Sequence, residues 1–234
     1  MDEDGLISEQ IEYYRAIAPQ YDVASPPRGD PFGPFRAEIE VELDRFRPGG
    51  HVLEIAGGAG DWTIHLLRHA SVVTVVDSSQ KMHELSRKKT GGDPRVRYVH
   101  TDVFTWQPDR VYDVVFFANW LSHVPPGRFV RFWRTVGAAL ASSGRAFVVD
   151  ELADAWRYGD VFREDFADDS SVPVVRRSVP DGRTFRLVKV FWNPEDLRSR
   201  LGSLGWESEI HTAGPFLWAT ALPRPIKDLS GVST

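Results

Sequence analysis

A glycine-rich turn between a short apolar strand and a predicted helix constrains this chain more than any other feature. The stretch from Val52 to Ile55 is apolar except for Glu54, and the turn Ala56-Gly57-Gly58-Ala59-Gly60 follows it at once. In α/β folds, a strand, a tight glycine turn and a helix bring backbone N–H groups close to a nucleotide. The chain is therefore expected to bind a nucleotide-type ligand at this turn.

Apolar runs alternate with helical patterns on the C-terminal side of the turn. Strands are predicted at 51–56, 72–76, 95–99, 112–118 and 145–150, and helices at 60–69, 79–88 and 126–140. Two final strands, at 206–212 and 215–222, are joined too tightly for anything but antiparallel pairing. The pattern predicts an α/β, Rossmann-like, doubly wound seven-stranded sheet, mostly parallel with the last strand antiparallel, and helices on both faces.

Two segments lie outside this alternation. Residues 1–34 contain a predicted helix at 9–18, capped by Ser8 and stopped by Pro19, and then a lid loop rich in Pro and Gly. Residues 151–192 form an insertion on the substrate side, with a hairpin predicted around Pro180-Asp181-Gly182. We expect residues 1–234 to form a single domain.

Composition excludes several classes of function. The 234 residues carry a formal net charge of −5, which gives no support to a nucleic-acid partner. The absence of cysteine excludes disulfides, thiolate metal ligands and cysteine nucleophiles. With no long apolar run and no signal-peptide pattern, the expected location is cytoplasmic. We expect a small-molecule substrate, no nucleic-acid or membrane partner, and a monomer or homodimer.

The details of the turn discriminate between nucleotide-type ligands. A dinucleotide site requires a third glycine, but Thr63 stands at that position. The carboxylate of Glu54 would repel a pyrophosphate and would favour a cationic ligand. S-adenosylmethionine (SAM), with its sulfonium and ammonium groups, fits both observations.

Two acidic residues follow the next two strands. Asp77 stands 20 residues after Gly57, where a carboxylate can bind both hydroxyls of a ribose; the alternative is a helix cap. Asp102 follows the third strand and can accept a hydrogen bond from an adenine amino group while Val103 packs on the ring. The alternative for Asp102 is a surface turn.

These motifs together resemble the class I SAM-dependent methyltransferases, in their small-molecule subgroup, over residues 35–222. Ala56 departs from the family pattern, which often has Gly or Cys there. The resemblance implies that the N-terminal helix is a lid whose tyrosines approach the methionine end of SAM. It implies the following SAM-binding residues: Tyr14, Tyr21, Glu54, Ala56, Gly57, Gly58, Gly60, Trp62, Asp77, Ser78, Met82, Asp102, Val103 and Asn119.

His123 is the candidate general base, because it follows the fourth strand and has a pKa suited to proton abstraction near neutrality. The alternative is a structural role, since many relatives carry a His in this turn. No metal site is expected, because Asn119 and not an acid ends the fourth strand. The predicted substrate-binding residues are Trp120, His123, Glu151, Phe162, Phe166, Arg176 and Trp192.

The predicted function is SAM-dependent methylation of a small organic molecule, with O-methylation of a hydroxyl or carboxyl group first and N-methylation second. Three alternatives stay open from the sequence. SAM could serve a cyclisation or rearrangement without methyl transfer, the chain could be a non-catalytic SAM sensor, or it could be an NAD-dependent oxidoreductase. The last is disfavoured by Glu54 and Thr63.

Overall fold

The computed structural model describes residues 3–21, 32–158, 165–166 and 172–224. The helices are α1 Glu3–Tyr21, α2 Gly33–Phe46, α3 Thr63–Leu66, α4 Gln80–Lys89, α5 Phe129–Ala139 and α6 Pro194–Ser203. The strands are β1 Gly50–Ile55, β2 Ala70–Asp77, β3 Val96–His100, β4 Tyr112–Ala118, β5 Leu140–Glu151, β6 Val174–Ser178, β7 Thr184–Val188, β8 Trp206–Ala213 and β9 Phe216–Pro223.

Seven strands form one sheet in the order β3-β2-β1-β4-β5-β9-β8. β1 pairs in parallel with β2 and β4, whereas β9 pairs antiparallel with both β5 and β8. The predicted mostly parallel sheet with an antiparallel last strand is confirmed. Because the chain leaves β1 toward β2 and later returns to its other side with β4, the strand order reverses at β1. Ligands bind at the carboxyl ends of the strands beside such a reversal.

The sheet is buried on both faces, as the aromatic pair in β4 illustrates. Phe116 and Phe117 are consecutive and therefore point to opposite faces. Phe117 packs edge-on against Phe132 and Trp133 of α5, whereas Phe116 stacks with Phe147 of β5 on the face that α2 covers. Both rings are almost fully buried. Much of the aromatic content of the chain thus stabilises the sheet.

The N-terminal helix packs against the predicted hairpin, which is present as β6 and β7. Glu9 of α1 accepts hydrogen bonds from the backbone N–H and the guanidinium of Arg186 in β7, at 2.7 to 3.0 Å. Tyr13 contacts Phe185 with ring centroids 5.9 Å apart. Helix α1 and the hairpin therefore form one layer, which we call the cover.

Helix α1 is longer at both ends than predicted. It starts at Glu3, so Ser8 lies inside it and its hydroxyl donates to the Asp4 carbonyl at 2.9 Å instead of capping the helix. The prediction that Pro19 stops the helix is wrong, because α1 continues to Tyr21. A proline in the last turns removes one backbone hydrogen bond but leaves the rest of the helix intact.

Helix α3 is shorter than the predicted 60–69 and covers Thr63–Leu66. Gly60 has a φ of +86°, which no right-handed helix accommodates, so the glycine turn delays its start. At its other end the hydrogen bonds of Arg68 and His69 shorten to three-residue spacing. Among the residues that the structure describes, no helix has the length and apolar character needed to cross a membrane.

Candidate active site

A cavity of about 780 Å³ opens at the carboxyl ends of the strands that flank the reversal of strand order. The glycine turn and the tips of β1, β2, β4 and β5 supply part of its wall, and the cover, residues of α2, α3 and α4, and the segment after β3 supply further parts. Most of the residues predicted from the sequence line it: Tyr14, Glu54, Ala56, Gly57, Gly58, Trp62, Asp77, Ser78, Met82, Asp102, Val103, Asn119, Trp120, His123 and Glu151.

Four predicted residues lie elsewhere. Gly60 sits behind the turn, where a Cβ would come within 2.5 Å of the Ser86 hydroxyl, so its role is to let the turn approach α4. Phe166 is 43% exposed and forms an isolated antiparallel β-bridge with Val175. Arg176 is on the exposed side of β6, and Trp192 borders a separate crevice near α6. Phe162 and the side chain of Tyr21 are outside the described residues.

The glycine turn packs tightly against β2. A Cβ on Gly57 would lie 2.5 Å from Cγ1 of Val75, so only glycine fits there without a shift of the turn. Ala56 has a φ of +53°, a left-handed conformation that is strained for residues other than glycine. A glycine at this position would avoid the strain, whereas a cysteine would share it with alanine.

Asp77 holds the turn and the next helix together. One carboxylate oxygen accepts from the backbone N–H of Gly58 at 3.0 Å and the other from that of Ser79 at 2.8 Å. The cap of α4 is Ser79, whose hydroxyl accepts from the Met82 N–H at 3.3 Å. Burial raises the pKa of Asp77, although both backbone hydrogen bonds oppose the shift. This carboxylate therefore lies at the cavity wall in a position where it can bind a ribose.

Glu54 lies beneath the turn and is 2% exposed. Its carboxyl group accepts a hydrogen bond from the Thr63 hydroxyl at 2.6 Å. Burial, with a smaller contribution from the negative charges of Asp77 and Asp61, raises its pKa to about 8. Thr63, which stands where a dinucleotide motif has its third glycine, is thus the hydrogen-bond partner of Glu54. With a pKa of about 8, this carboxyl is largely protonated near neutrality, and a cation beside it would favour its ionised form.

His123 is buried between the cover and the turn after β4. Its Nδ1 lies 2.7 Å from the carbonyl oxygen of Val188, which can only accept, so Nδ1 carries the proton. Nε2 is then the unprotonated nitrogen, and it accepts from the Tyr14 hydroxyl at 2.9 Å. Burial, together with the charges of Lys189 and Arg177, holds the pKa of His123 well below its usual range. The imidazole is therefore neutral, with both nitrogens hydrogen-bonded.

Positive charge lies beside His123. Lys189 is 2% exposed, and its ammonium is 2.9 Å from the Glu151 carboxylate and 3.4 Å from the Ser122 hydroxyl. Arg177 of β6 also lines the cavity. Both cations can bind an anion, and the guanidinium can do so with two parallel hydrogen bonds.

Asp150, whose carboxyl lies near Lys189, has a structural role. It is fully buried, and its carboxylate accepts from the backbone N–H groups of Ser122 and Glu151, both at 2.8 Å. Burial raises the pKa of Asp150, while the charge of Lys189 opposes that shift. The carboxylate fixes the turn that carries His123 to the end of β5.

Sequence reasoning missed Lys189 and Gln10 as cavity residues, and selected Arg176 where Arg177 lines the cavity. The Arg176 prediction chose the wrong one of two neighbouring arginines. Successive side chains of a strand point to opposite sides, and it is Arg177 that faces the cavity. Lys189 could have been selected from the sequence, because it is the one charged residue in the apolar run Leu187-Val188-Lys189-Val190-Phe191-Trp192. Gln10 likewise interrupts the spacing of Ile7, Ile11 and Tyr14.

Comparisons with known proteins find methyltransferases. The family model described as "Methyltransferase domain" matches residues 52–144. DhpI, solved in a complex with SAM and HEP, is 40% identical, with 95% of this chain and 100% of that chain covered and a TM-score of 0.80. DhpI solved with SAH is 39% identical, with 95% and 98% covered and a TM-score of 0.79.

Curated relatives are more distant. A "Ubiquinone/menaquinone biosynthesis C-methyltransferase UbiE" of Teredinibacter turnerae is 29% identical over 118 residues, which cover 47% of this chain and 47% of the relative. The match thus spans about half the length of that relative. Given the glycine turn, the acid at the tip of β2 and the likeness to DhpI along nearly the whole chain, this protein belongs to the class I SAM-dependent methyltransferases.

Proposed function

We propose that this protein methylates an oxygen of a small organic acid, with SAM as the methyl donor. The observation that carries the proposal is the pair of cations, Lys189 and Arg177, at the cavity wall beside His123. A buried ammonium is costly unless it is paired. The Lys189 ammonium is paired with Glu151, and its three N–H donors allow it to bind an anion of the acceptor as well. An acid group of the acceptor would bind between the two cations, whereas an ammonium would be repelled.

The donor end of the cavity is assigned to the glycine turn. The backbone of Gly57 and Gly58 would approach SAM closely, Asp77 would accept hydrogen bonds from the ribose hydroxyls, and Asp102 with Val103 would contact the adenine. SAM supplies an electrophilic methyl group, whose carbon–sulfur bond breaks as the acceptor oxygen forms the new bond, leaving S-adenosylhomocysteine and a methyl ester. The oxygen must lie in line behind the methyl group, and the cover would exclude water.

An acid acceptor explains why no general base is needed. A carboxylate or a phosphorus oxyacid is already ionised near neutrality, so its oxygen attacks without losing a proton. His123 then acts as a positioning residue, because its Nε2 holds the Tyr14 hydroxyl and is not available to the acceptor. Tyr14 in turn presents its oxygen lone pairs near the cationic end of SAM.

DhpI was solved in a complex with both SAM and HEP, which supports binding of a second small molecule together with the donor. We extend this arrangement to the present chain because the identity of 40% runs over nearly its whole length. The UbiE relatives are named for C-methylation, but their match covers only about half of their length. The single-domain organisation, the cytoplasmic location and the monomeric or homodimeric state stay predictions.

The test is methyl transfer from SAM labelled in its methyl group. The purified protein is incubated with acetate, propionate and ethylphosphonate, and with ethanol and ethylamine as acceptors that lack an acid. We expect label in a methyl ester of an acid and none in the neutral or amine acceptors. Label in ethylamine or in a carbon–methyl product would contradict the proposal, and so would consumption of SAM without any labelled acceptor.

The same assay tests the cation pair. Lys189→Met removes the ammonium but keeps the length of the side chain, and should raise the KM of the acid at least tenfold. Arg176→Met is the matched control, because this arginine precedes Arg177 but does not line the cavity. Equal activity of Lys189→Met and wild type would assign the lysine to Glu151 alone.

A further inference from the structure

One polar side chain at the cavity wall has an atom that takes no part in the interactions above. Gln10 lies on the face of α1 that also carries Ile7, Ile11 and Tyr14, and all four line the cavity. Helix positions three or four apart share a face, so Gln10 is an amide within an apolar and aromatic stripe. It is 2% exposed.

Its neighbour determines which way the amide points. Nε2 donates to the carbonyl oxygen of His123 at 3.4 Å, and a carbonyl oxygen can only accept. The reverse orientation would place two acceptors against each other. Oε1 is therefore directed elsewhere, and no donor for it is found among the described residues. Because an unpaired buried amide oxygen is destabilising, the position favours a ligand that donates a hydrogen bond.

We propose that Gln10 is a specificity-determining residue whose Oε1 accepts a hydrogen bond from a hydroxyl or amino group of the acceptor, separate from its acid group. This inference rests on the proposed methylation of a small acid. Lys189 and Arg177 have only donors and bind the acid end, whereas Gln10 Oε1 has only lone pairs and binds the other end. A molecule with both groups is then held in one orientation.

That orientation has a chemical consequence. With its hydroxyl or amino group held at Gln10, the acceptor presents an acid oxygen to the methyl group and keeps the competing nucleophile away from it. Gln10 and Tyr14 are one helical turn apart and both contact His123, one through its carbonyl and the other through Nε2. The acceptor's second group would therefore bind within one turn of the residue that faces the donor.

The test compares acids that differ by one hydrogen-bond donor. The probes are propionate, 3-hydroxypropionate and β-alanine, and ethylphosphonate with 2-aminoethylphosphonate. For each, kcat/KM for the methyl ester is measured in wild type, Gln10→Met and Gln10→Glu, and the Kd of SAM is measured by calorimetry. Ser8→Ala, on the exposed side of the same helix, is the matched control.

In wild type and Ser8→Ala, kcat/KM should be about tenfold or more higher for the acid that bears the hydrogen-bond donor than for the matching acid without it. Most of this difference should come from a lower KM. In Gln10→Met this ratio should fall to about one, while the Kd of SAM stays at the wild-type value. Gln10→Glu keeps an acceptor atom and adds charge, so it should favour the amino over the hydroxyl compound. It also provides a second variant should Gln10→Met not fold, as judged from its melting temperature.

Different failures have different meanings. If wild type esterifies none of the acids, the proposed function is wrong and this inference falls with it. If esters form, either of two results overturns only the role of Gln10. One is a ratio of kcat/KM between acids with and without the donor that is near one in wild type, and the other is a wild-type ratio that Gln10→Met keeps. Weaker SAM binding by Gln10→Met with an unchanged ratio would assign Oε1 to the ammonium of SAM, and would also overturn it.

Discussion

The hydroxyl of Tyr14 donates to Nε2 of His123 at 2.9 Å, which joins helix α1 of the cover to the turn after β4. The two rings meet edge to face with centroids 5.7 Å apart. The Val188 carbonyl oxygen holds the opposite nitrogen, so the tautomer of His123 is fixed by the backbone of the hairpin. The position of the Tyr14 oxygen at the cavity therefore depends on three separate segments of the chain.

We expect Tyr14→Phe to lower kcat about tenfold and His123→Phe to lower it at least as much, because both remove the hydrogen bond between the two side chains and His123→Phe also leaves the Val188 carbonyl without its donor. The double variant should be little worse than His123→Phe alone, since residues that share one interaction are not additive. Steady-state kinetics on the double-mutant cycle checks this. A product of the two single effects in the double variant would mean that the residues act independently. A pH profile of kcat that lacks a step near 6.5 in wild type would agree with a neutral His123.

Asp77→Ala should weaken SAM binding by about 100-fold or more. The change removes the proposed ribose acceptors and also the two backbone hydrogen bonds that hold Gly58 and Ser79, and hydrogen bonds to charged groups contribute about 1.5–3 kcal/mol each. Asp77→Asn is the matched control: it keeps one oxygen, so it should bind more weakly than wild type but more tightly than Asp77→Ala. Calorimetric titration with SAM measures all three, and an unchanged affinity of Asp77→Ala would refute the ribose assignment.

The buried carboxyl of Glu54 makes stability depend on pH. Its pKa is about 8 in the folded protein and near 4.5 in the unfolded chain, so between these values only the unfolded state loses the proton. The contribution of Glu54 to the free energy of unfolding should thus fall as pH rises from about 4.5 to about 8, by on the order of 1.4 kcal/mol per pH unit. Urea unfolding of wild type and Glu54→Gln at pH 5.5 and 7.5 tests this. Parallel stability profiles would contradict it.

The same carboxyl should couple SAM binding to proton release. A cation near Glu54 favours its ionised form and lowers its pKa. The affinity for SAM should therefore rise with pH up to about 8, and calorimetry in two buffers of different ionisation enthalpy should detect release of up to one proton. Glu54→Gln should release less. Equal proton release by wild type and Glu54→Gln would separate the carboxyl from the donor site.

Loosening the cover should impair the acceptor more than the donor. Glu9→Gln replaces the carboxylate that accepts from Arg186, and this partly exposed ion pair stabilises the contact by only about 1 kcal/mol. We expect faster hydrogen exchange in α1 and a severalfold higher KM for the acid. Ser8→Ala, on an exposed position of the same helix whose hydroxyl donates only to the Asp4 carbonyl of that helix, is the control. Equal exchange rates in both variants would show that apolar packing alone holds the helix.

The donor half of the site could be predicted from the sequence because its residues are tied to the ends of regular elements. Asp77 follows β2 directly, and Gly57 and Gly58 follow β1, so position in the chain determines position in the fold. The acceptor half depends on contacts between distant segments. Lys189 lines the cavity, whereas Trp192 lies away from it. The way the hairpin packs against the turn after β4 determines which of the two residues faces the cavity.

The structure of the cover determines how an enzyme of this kind could come to accept a different acceptor. Residues 3–21 and 174–188 are separated by more than half of the chain, yet they pack on each other through Glu9, Arg186, Tyr13 and Phe185. Among the described residues, the side chains of the cover that reach the cavity are Ile7, Gln10, Ile11, Tyr14 and Arg177. A new acceptor could thus be accommodated by exchanging the two segments as a pair, with the glycine turn and the sheet left intact. Exchanging either one alone would place mismatched surfaces against each other.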